Sequence, residues 1–231
     1  LEGTNICAKG LNGSIATIAL APSGGFLHAP DMYMEKIAVG PTARGAIDIN
    51  ASPTTNLQRV ADAKKCYIED LTVVILDRPR HDKIVEEIRK AGARIHLISD
   101  GDVAPAIAAA VEGSGVDMLL GIGGAPEGVL AAAALKCMGG DMQGRLVFMN
   151  DEERHRAMAM GIDDFEKVYQ CEEMANGDVV FAATGVTNGD LLRGIRYYSG
   201  GAETHSIVMR SRTRTIRFVE TRHSFDFKPK Y

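Results

Sequence analysis

The sequence predicts an α/β fold, with a mostly parallel sheet covered by helices and a C-terminal hairpin. Three observations carry this reading. From Leu71 onward, apolar runs of strand length alternate with stretches of helix length across short connections. The runs Leu71–Leu76 and Val116–Leu120 are apolar nearly throughout, as strands buried on both faces are. The chain has 231 residues, 45% of them hydrophobic, enough for one large domain or two smaller ones with a real core.

The first 50 residues read as β-rich, with extended segments at Ser14–Leu20, Phe26–Leu27 and Met34–Val39. Pro22-Ser23-Gly24-Gly25 is a turn signal, and Gly40-Pro41 closes the last segment. Ser52-Pro53 starts a helix that runs to Lys65. Leu71–Leu76 is a strand. Asp82–Ala91 is a helix with Ile84, Val85 and Ile88 on one face, stopped by Gly92. Ala93–Ile98 and Val103–Val111 repeat the strand–helix pair, and Val116–Leu120 and Val129–Cys137 repeat it again. Leu146–Met149 and Val179–Ala182 read as later strands. His205–Arg210 and Thr215–Glu220 flank a polar tetrapeptide and read as a hairpin, and the tail Lys228–Tyr231 reads as frayed.

The formal net charge of −4 gives no bulk attraction to nucleic acid, and no apolar run approaches a membrane span. The arginines near the end (Arg210, Arg212, Arg214, Arg217, Arg222) fit a solvated hairpin, and they equally fit a subunit contact. Most soluble oligomers are homomers, so a homo-oligomer is expected. Cys7, Cys66, Cys137 and Cys171 are widely spaced and form no C-x-x-C pair, which points to a reduced, cytoplasmic protein.

The most informative segment is Gly121-Ile122-Gly123-Gly124-Ala125-Pro126-Glu127-Gly128, between a strand and an Ala-rich helix. Read as a turn, it offers bare backbone N–H groups at the positive end of a helix, which suits phosphate. It also carries Glu127, which would repel phosphate unless a divalent cation lay between them. From this segment alone, a structural turn and a phosphate or metal site fit equally well. The dinucleotide pattern G-x-G-x-x-G fails because Pro126 stands where the third glycine belongs. Two further turns, Asp77–Asp82 and Ser99–Asp102, should open on the same sheet edge, supplying arginines for phosphate and carboxylates for hydroxyls or metal. Each has a plain alternative: Asp82 and Asp102 as helix-stabilising acids, Arg78 and Arg80 as surface charges.

Glu2-Gly3-Thr4 resembles the end of the Asp-Pro-x-(Asp/Glu)-Gly-Thr motif of lithium-sensitive, metal-dependent sugar phosphatases. Ala29–Met34, Arg78-Pro79-Arg80-His81, Ser99–Asp102, Gly121–Gly128 and Ala183–Asp190 all resemble class II fructose-1,6-bisphosphatase, the bacterial type. The resemblance implies a two-domain layered α/β sugar-phosphatase fold. Residues 1–55 would be the remainder of an N-terminal metal-binding domain, and residues 56–231 a C-terminal domain with substrate-binding turns. It implies hydrolysis of the 1-phosphate of fructose 1,6-bisphosphate in gluconeogenesis, with Mn2+ or Mg2+ as cofactor and a small sugar bisphosphate as partner. By position, Glu2 and Glu127 would hold metal. Glu2, Gly3, Thr4, Tyr33, Arg78, Pro79, Arg80, Asp100, Gly101, Asp102 and Gly124 would bind substrate, and Thr4 and Glu2 would take part in catalysis. The family's motif aspartate and two further acidic ligands would precede Leu1, so a longer natural chain is expected.

The implied chemistry is in-line attack of water on phosphorus with metal assistance, with Thr4 orienting the water or relaying its proton. The alternative for Thr4 is a plain cap on the following helix or turn. Competing functions are a dual phosphatase that also takes sedoheptulose 1,7-bisphosphate, an inositol-phosphatase relative, and a non-catalytic nucleotide-binding module.

Overall fold

The structure, a computed structural model, describes residues 1–227. In chain order the elements are α1 (Thr4–Ala8), β1 (Ile15–Leu20), β2 (Tyr33–Val39), α2 (Pro53–Lys64), β3 (Thr72–Leu76), α3 (Asp82–Ala91), β4 (Arg94–Ile98), α4 (Val103–Ala108) and β5 (Met118–Gly124). There follow α5 (Ala125–Met138), β6 (Asp141–Val147), α6 (Asp151–Ala159), β7 (Val168–Gln170), α7 (Cys171–Met174), β8 (Val180–Gly185), β9 (Arg196–Tyr198), β10 (Gly201–Arg210) and β11 (Thr215–Ser224).

One sheet has the order β4-β3-β5-β2-β6-β7; the other runs β1-β8-β10-β11, with β9 added to β10. Helix α5 lies between the sheets and touches strands of both. Ala131–Ala134 are buried there beside Met34 and Ala38 on one side and Phe181, Ile207 and Met209 on the other. An Ala-rich helix is thin, so the two sheets close on it with little void. The opposite face of the six-stranded sheet packs Ile37, Val73 and Ile75 against Leu57 and Val60 of α2 and Val85 and Ile88 of α3. The layers are therefore sheet, helix, sheet, helix.

The local signals act where they were read. The Ser52 hydroxyl accepts from the Thr55 backbone N–H at 3.1 Å, and Pro53 opens α2 without losing a hydrogen bond. Helix α3 spans Asp82–Ala91 and stops at Gly92.

The α/β class holds, but the six-stranded sheet is mixed. Only β3–β4 and β3–β5 pair in parallel, while β2 runs antiparallel to both β5 and β6. An apolar run reports burial on both faces and carries no information about direction. The glycine segment also differs from the expected turn. Residues Gly121–Gly124 continue β5 and pair with Tyr33–Lys36, and α5 begins at once with Ala125. The hairpin is longer than read, with ten residues in each strand. Helices α1, α6 and α7 and strands β7 and β9 were not read from sequence. Neither sheet stays on one side of residue 55: β1 pairs with β8, and β2 sits between β5 and β6. Strand partners far apart in sequence leave no local mark. The tail expected to fray lies outside the described residues.

Candidate active site

A cleft of about 400 Å³ opens at the carboxyl ends of β3, β4 and β5. Its floor is Gly123 and Gly124, its walls include Glu2, Glu127, Asp100 and Asp102, and Arg78, Arg80 and Tyr33 stand at its rim. Three chain segments named from sequence thus meet at one edge, together with the Glu2 motif. Gly3, Thr4 and Pro79 belong to the same segments but do not line the cleft.

Glu2 is fixed from both sides. Its backbone exchanges hydrogen bonds with Ile15 at the start of β1, 2.8 Å and 3.2 Å long. Its carboxylate accepts from the Val103 N–H at 3.1 Å and from the Gly3 N–H at 3.2 Å. Gly3 caps α1 with φ of 72°, a left-handed conformation that glycine adopts without strain. Thr4 is the first residue of α1 and is exposed, and no side-chain cap bond is made there. Burial pushes the Glu2 carboxyl up to about 7, and the nearby charges of Asp102 and Glu127 add to the shift. The Val103 N–H and the Lys36 cation oppose it.

The glycines have a steric reason. A Cβ on Gly124 would collide with the Glu127 carboxylate, which folds back over the strand end from the first turn of α5. A Cβ on Gly123 would collide with Asp102 and lie 2.9 Å from Lys36 Nζ. The segment makes room for carboxylates and a buried cation.

Arg80 donates from Nε and Nη2 to the Ile122 carbonyl at 3.2 Å and 2.7 Å, and its guanidinium carbon lies 4.9 Å from the centre of the Tyr33 ring. Arg78 donates to the Asp77 carbonyl at 2.8 Å. His81, buried just behind, accepts the Ile122 N–H on Nε2 at 2.8 Å, so its Nδ1 carries the proton and donates to Leu76 O at 2.7 Å. Burial lowers its pKa, helped by the Arg80 and Arg78 charges. Neutral His81 therefore ties the end of β3 to the glycine segment.

Sequence reasoning gave no role to Lys36, His81, Asp31 or Glu153. Asp31 and Glu153 also line the cleft. Lys36 had a signal: it is a charge at a position where alternation with Met34 and Ala38 calls for an apolar residue. Asp102, read as a substrate-binding acid, is buried and pairs with Lys36 at 2.5 Å.

A larger cleft, about 630 Å³, lies on the hairpin. Its charges pair internally: Arg193 with Glu220, while Arg196 at 3.5 Å and Arg222 at 3.0 Å share Glu203.

Layers in this order, with acids and arginines meeting at the strand ends, define the class as a layered α/β phosphatase. The family described as bacterial fructose-1,6-bisphosphatase, glpX-encoded, matches residues 1–223. The chain is 48% identical to the D-fructose 1,6-bisphosphatase class 2/sedoheptulose 1,7-bisphosphatase of Synechococcus sp. (strain JA-3-3Ab), over 97% of this chain and 69% of that one. It is 48% identical to the protein of the same description from Microcystis aeruginosa, over 100% of this chain and 70% of that one. For the Synechocystis sp. protein so described, the figures are 47%, 96% and 68%. The chain belongs to the bacterial, glpX-encoded fructose-1,6-bisphosphatase family.

Proposed function

We propose that the full natural protein to which this chain belongs hydrolyses the 1-phosphate of fructose 1,6-bisphosphate to give fructose 6-phosphate and phosphate. The observation that carries the reading is the meeting of Glu2 and Glu127 with Arg78 and Arg80 in one cleft of a member of this family. The relatives' descriptions favour sedoheptulose 1,7-bisphosphate as a second substrate.

The cleft fits a divalent cation. The Glu2 carboxyl is held up to about 7, by burial first and then by the charges of Asp102 and Glu127, and of these neighbours Glu127 has no cation partner among the described residues. Their oxygen donors suit Mg2+ or Mn2+. Among the described residues no three acidic, histidine or cysteine side chains form a cage. Glu2 and Glu127 would hold the cation, with phosphate oxygens, water and other donors in the remaining positions. Such a cation, when bound, would neutralise phosphate charge and lower the pKa of water.

Arg78 and Arg80 would bind the phosphate groups. Arg80 is already fixed by the Ile122 carbonyl and the Tyr33 ring, so its guanidinium loses little freedom on binding. Asp100 would accept hydrogen bonds from sugar hydroxyls. The Thr4 hydroxyl, two residues from Glu2, would orient the attacking water. We place this activity in the cytoplasm, within gluconeogenesis, in keeping with four free thiols. No helix among the described residues is long and apolar enough to cross a membrane. Self-association into a homo-oligomer is checked by light scattering.

The test is phosphate release from both bisphosphates by the full-length natural protein, with Mn2+ and with Mg2+. Release from neither would overturn the reading, and release from fructose 1,6-bisphosphate alone would remove the second substrate.

A further inference from the structure

Lys36 is a lysine in the middle of a central strand, 1% exposed, among Met34, Met142 and the first turns of α5. A buried ammonium is costly unless it is paired and hydrogen-bonded. Here Nζ meets Asp102 Oδ2 at 2.5 Å and donates to the Gly124 carbonyl at 3.0 Å. Those two partners lie on different segments. Asp102 ends the Ser99–Asp102 turn, which presents Asp100 to the cleft and leads into Val103, whose N–H clamps Glu2. Gly124 ends β5, one residue before the helix whose first turn carries Glu127. One cation therefore spans the two segments that place Glu2 and Glu127.

The space for this contact is kept open. Gly123 lacks the Cβ that would occupy the Asp102 position, and a Cβ on Gly128 would meet Met34 Sδ at 2.6 Å and the Lys36 stem at 3.2 Å. Of the glycines in the motif, Gly123 is accounted for by the pair beneath the cleft.

We propose that Lys36 is a positioning residue for the reaction: its ammonium, shared by Asp102 and Gly124, sets the spacing between the Asp100–Val103 segment and the Glu127 helix start. This rests on the phosphatase reading above for its catalytic consequence, and on geometry alone for its structural one. Lys36 touches neither the cleft surface nor any reacting atom.

The test uses Lys36→Met, which keeps the length and removes the charge, and Lys36→Gln, which retains N–H donors, in the full chain. Metal-free protein is followed by hydrogen exchange on peptides covering 99–104 and 121–128. Peptides covering β10 and β11 serve as the internal control. We expect exchange at the two cleft segments to rise at least about tenfold in Lys36→Met, with the control unchanged. With saturating Mn2+, kcat on fructose 1,6-bisphosphate should fall at least about tenfold while KM moves less than about threefold, the pattern of a group needed for transition-state alignment. Lys36→Gln should lie between Lys36→Met and wild type in kcat, whatever the order of their Tm values. Unchanged exchange at both segments, or kcat that simply follows Tm across the two variants, would overturn the proposal. If wild type turns over neither bisphosphate, the phosphatase reading falls and the exchange arm still decides the role of Lys36. If Lys36→Met does not fold, Lys36→Gln supplies both measurements.

Discussion

Two of the charged clefts among the described residues, the one on the hairpin and the one at the strand ends, differ in the opposite sense from their size. The hairpin cleft is larger, yet each of its three arginines already has a glutamate partner across β10, β11 and the segment that leads into β9. The strand-end cleft is smaller, and its charges are segregated. Glu2, Asp100 and Glu127 face inward without a cation partner among the described residues, while Arg78 and Arg80 hold to backbone carbonyls. Matched surface pairs contribute little and leave nothing for a ligand. Segregated charge at a sheet end suits a cation and a phosphate, as the proposed function requires. Under the proposed function, charge imbalance, more than volume, marks the site.

The largest effect should come from removing one acid on each side. Glu127→Gln should lower kcat by about 100-fold, the scale of losing one group that stabilises developing charge, with Tm nearly unchanged. Glu220→Gln on the hairpin should leave phosphate release within about twofold. Equal losses from both variants would erase the distinction between the clefts.

The arginines sharpen it next. Arg80→Ala should cost about 10-fold or more in kcat/KM, since a charge-assisted hydrogen bond is worth about 1.5–3 kcal/mol. Arg222→Ala, which loosens only a surface pair with Glu203, should change kcat/KM by less than about twofold. Steady-state kinetics on fructose 1,6-bisphosphate reads both.

Thr4 tests whether the site extends beyond the cleft wall. Thr4→Ala should reduce kcat by several-fold, roughly, with a smaller change in KM, and Thr4→Ser should keep part of the activity. Identical behaviour of the alanine and serine variants would remove the hydroxyl from the chemistry.

The smallest effect is a pH-dependent stability. The folded carboxyl of Glu2 is raised from 4.5 to about 7. Between those values the folded state binds more protons than the unfolded one, so Glu2 costs the metal-free protein stability as pH rises through that window. His81 acts oppositely. Its lowered pKa makes stability fall as pH drops below 6.5, its ordinary value. The two are separated by difference: Tm of wild type minus Tm of Glu2→Gln, measured in chelator, should decline from pH 5 to pH 7. Mn2+ should cancel that decline. A flat difference would show that Glu2 is not the strained acid of the pair of regions compared here.

Much of the fold was legible because it rests on local signals. Helix α3 ends where Gly92 says it must, and α2 begins at its Ser52-Pro53 cap. The apolar runs became strands. The segments that line the candidate cleft were legible as well, since Glu2, the Arg78–Arg80 turn, Asp100–Asp102 and the Gly121–Glu127 segment are compact motifs. The sequence by itself determined which segments carry charge, where glycine stands and which faces seek burial, because each of these is a property of a few adjacent residues. Tertiary structure alone decided strand direction, the pairing of β1 with β8, and the reason for the glycines. It also turned Asp102 inward onto Lys36, across 66 positions of chain. A buried ion pair forms only when the packing of β2, β5 and α4 removes water from both charges, and nothing local to Lys36 or Asp102 encodes that desolvation.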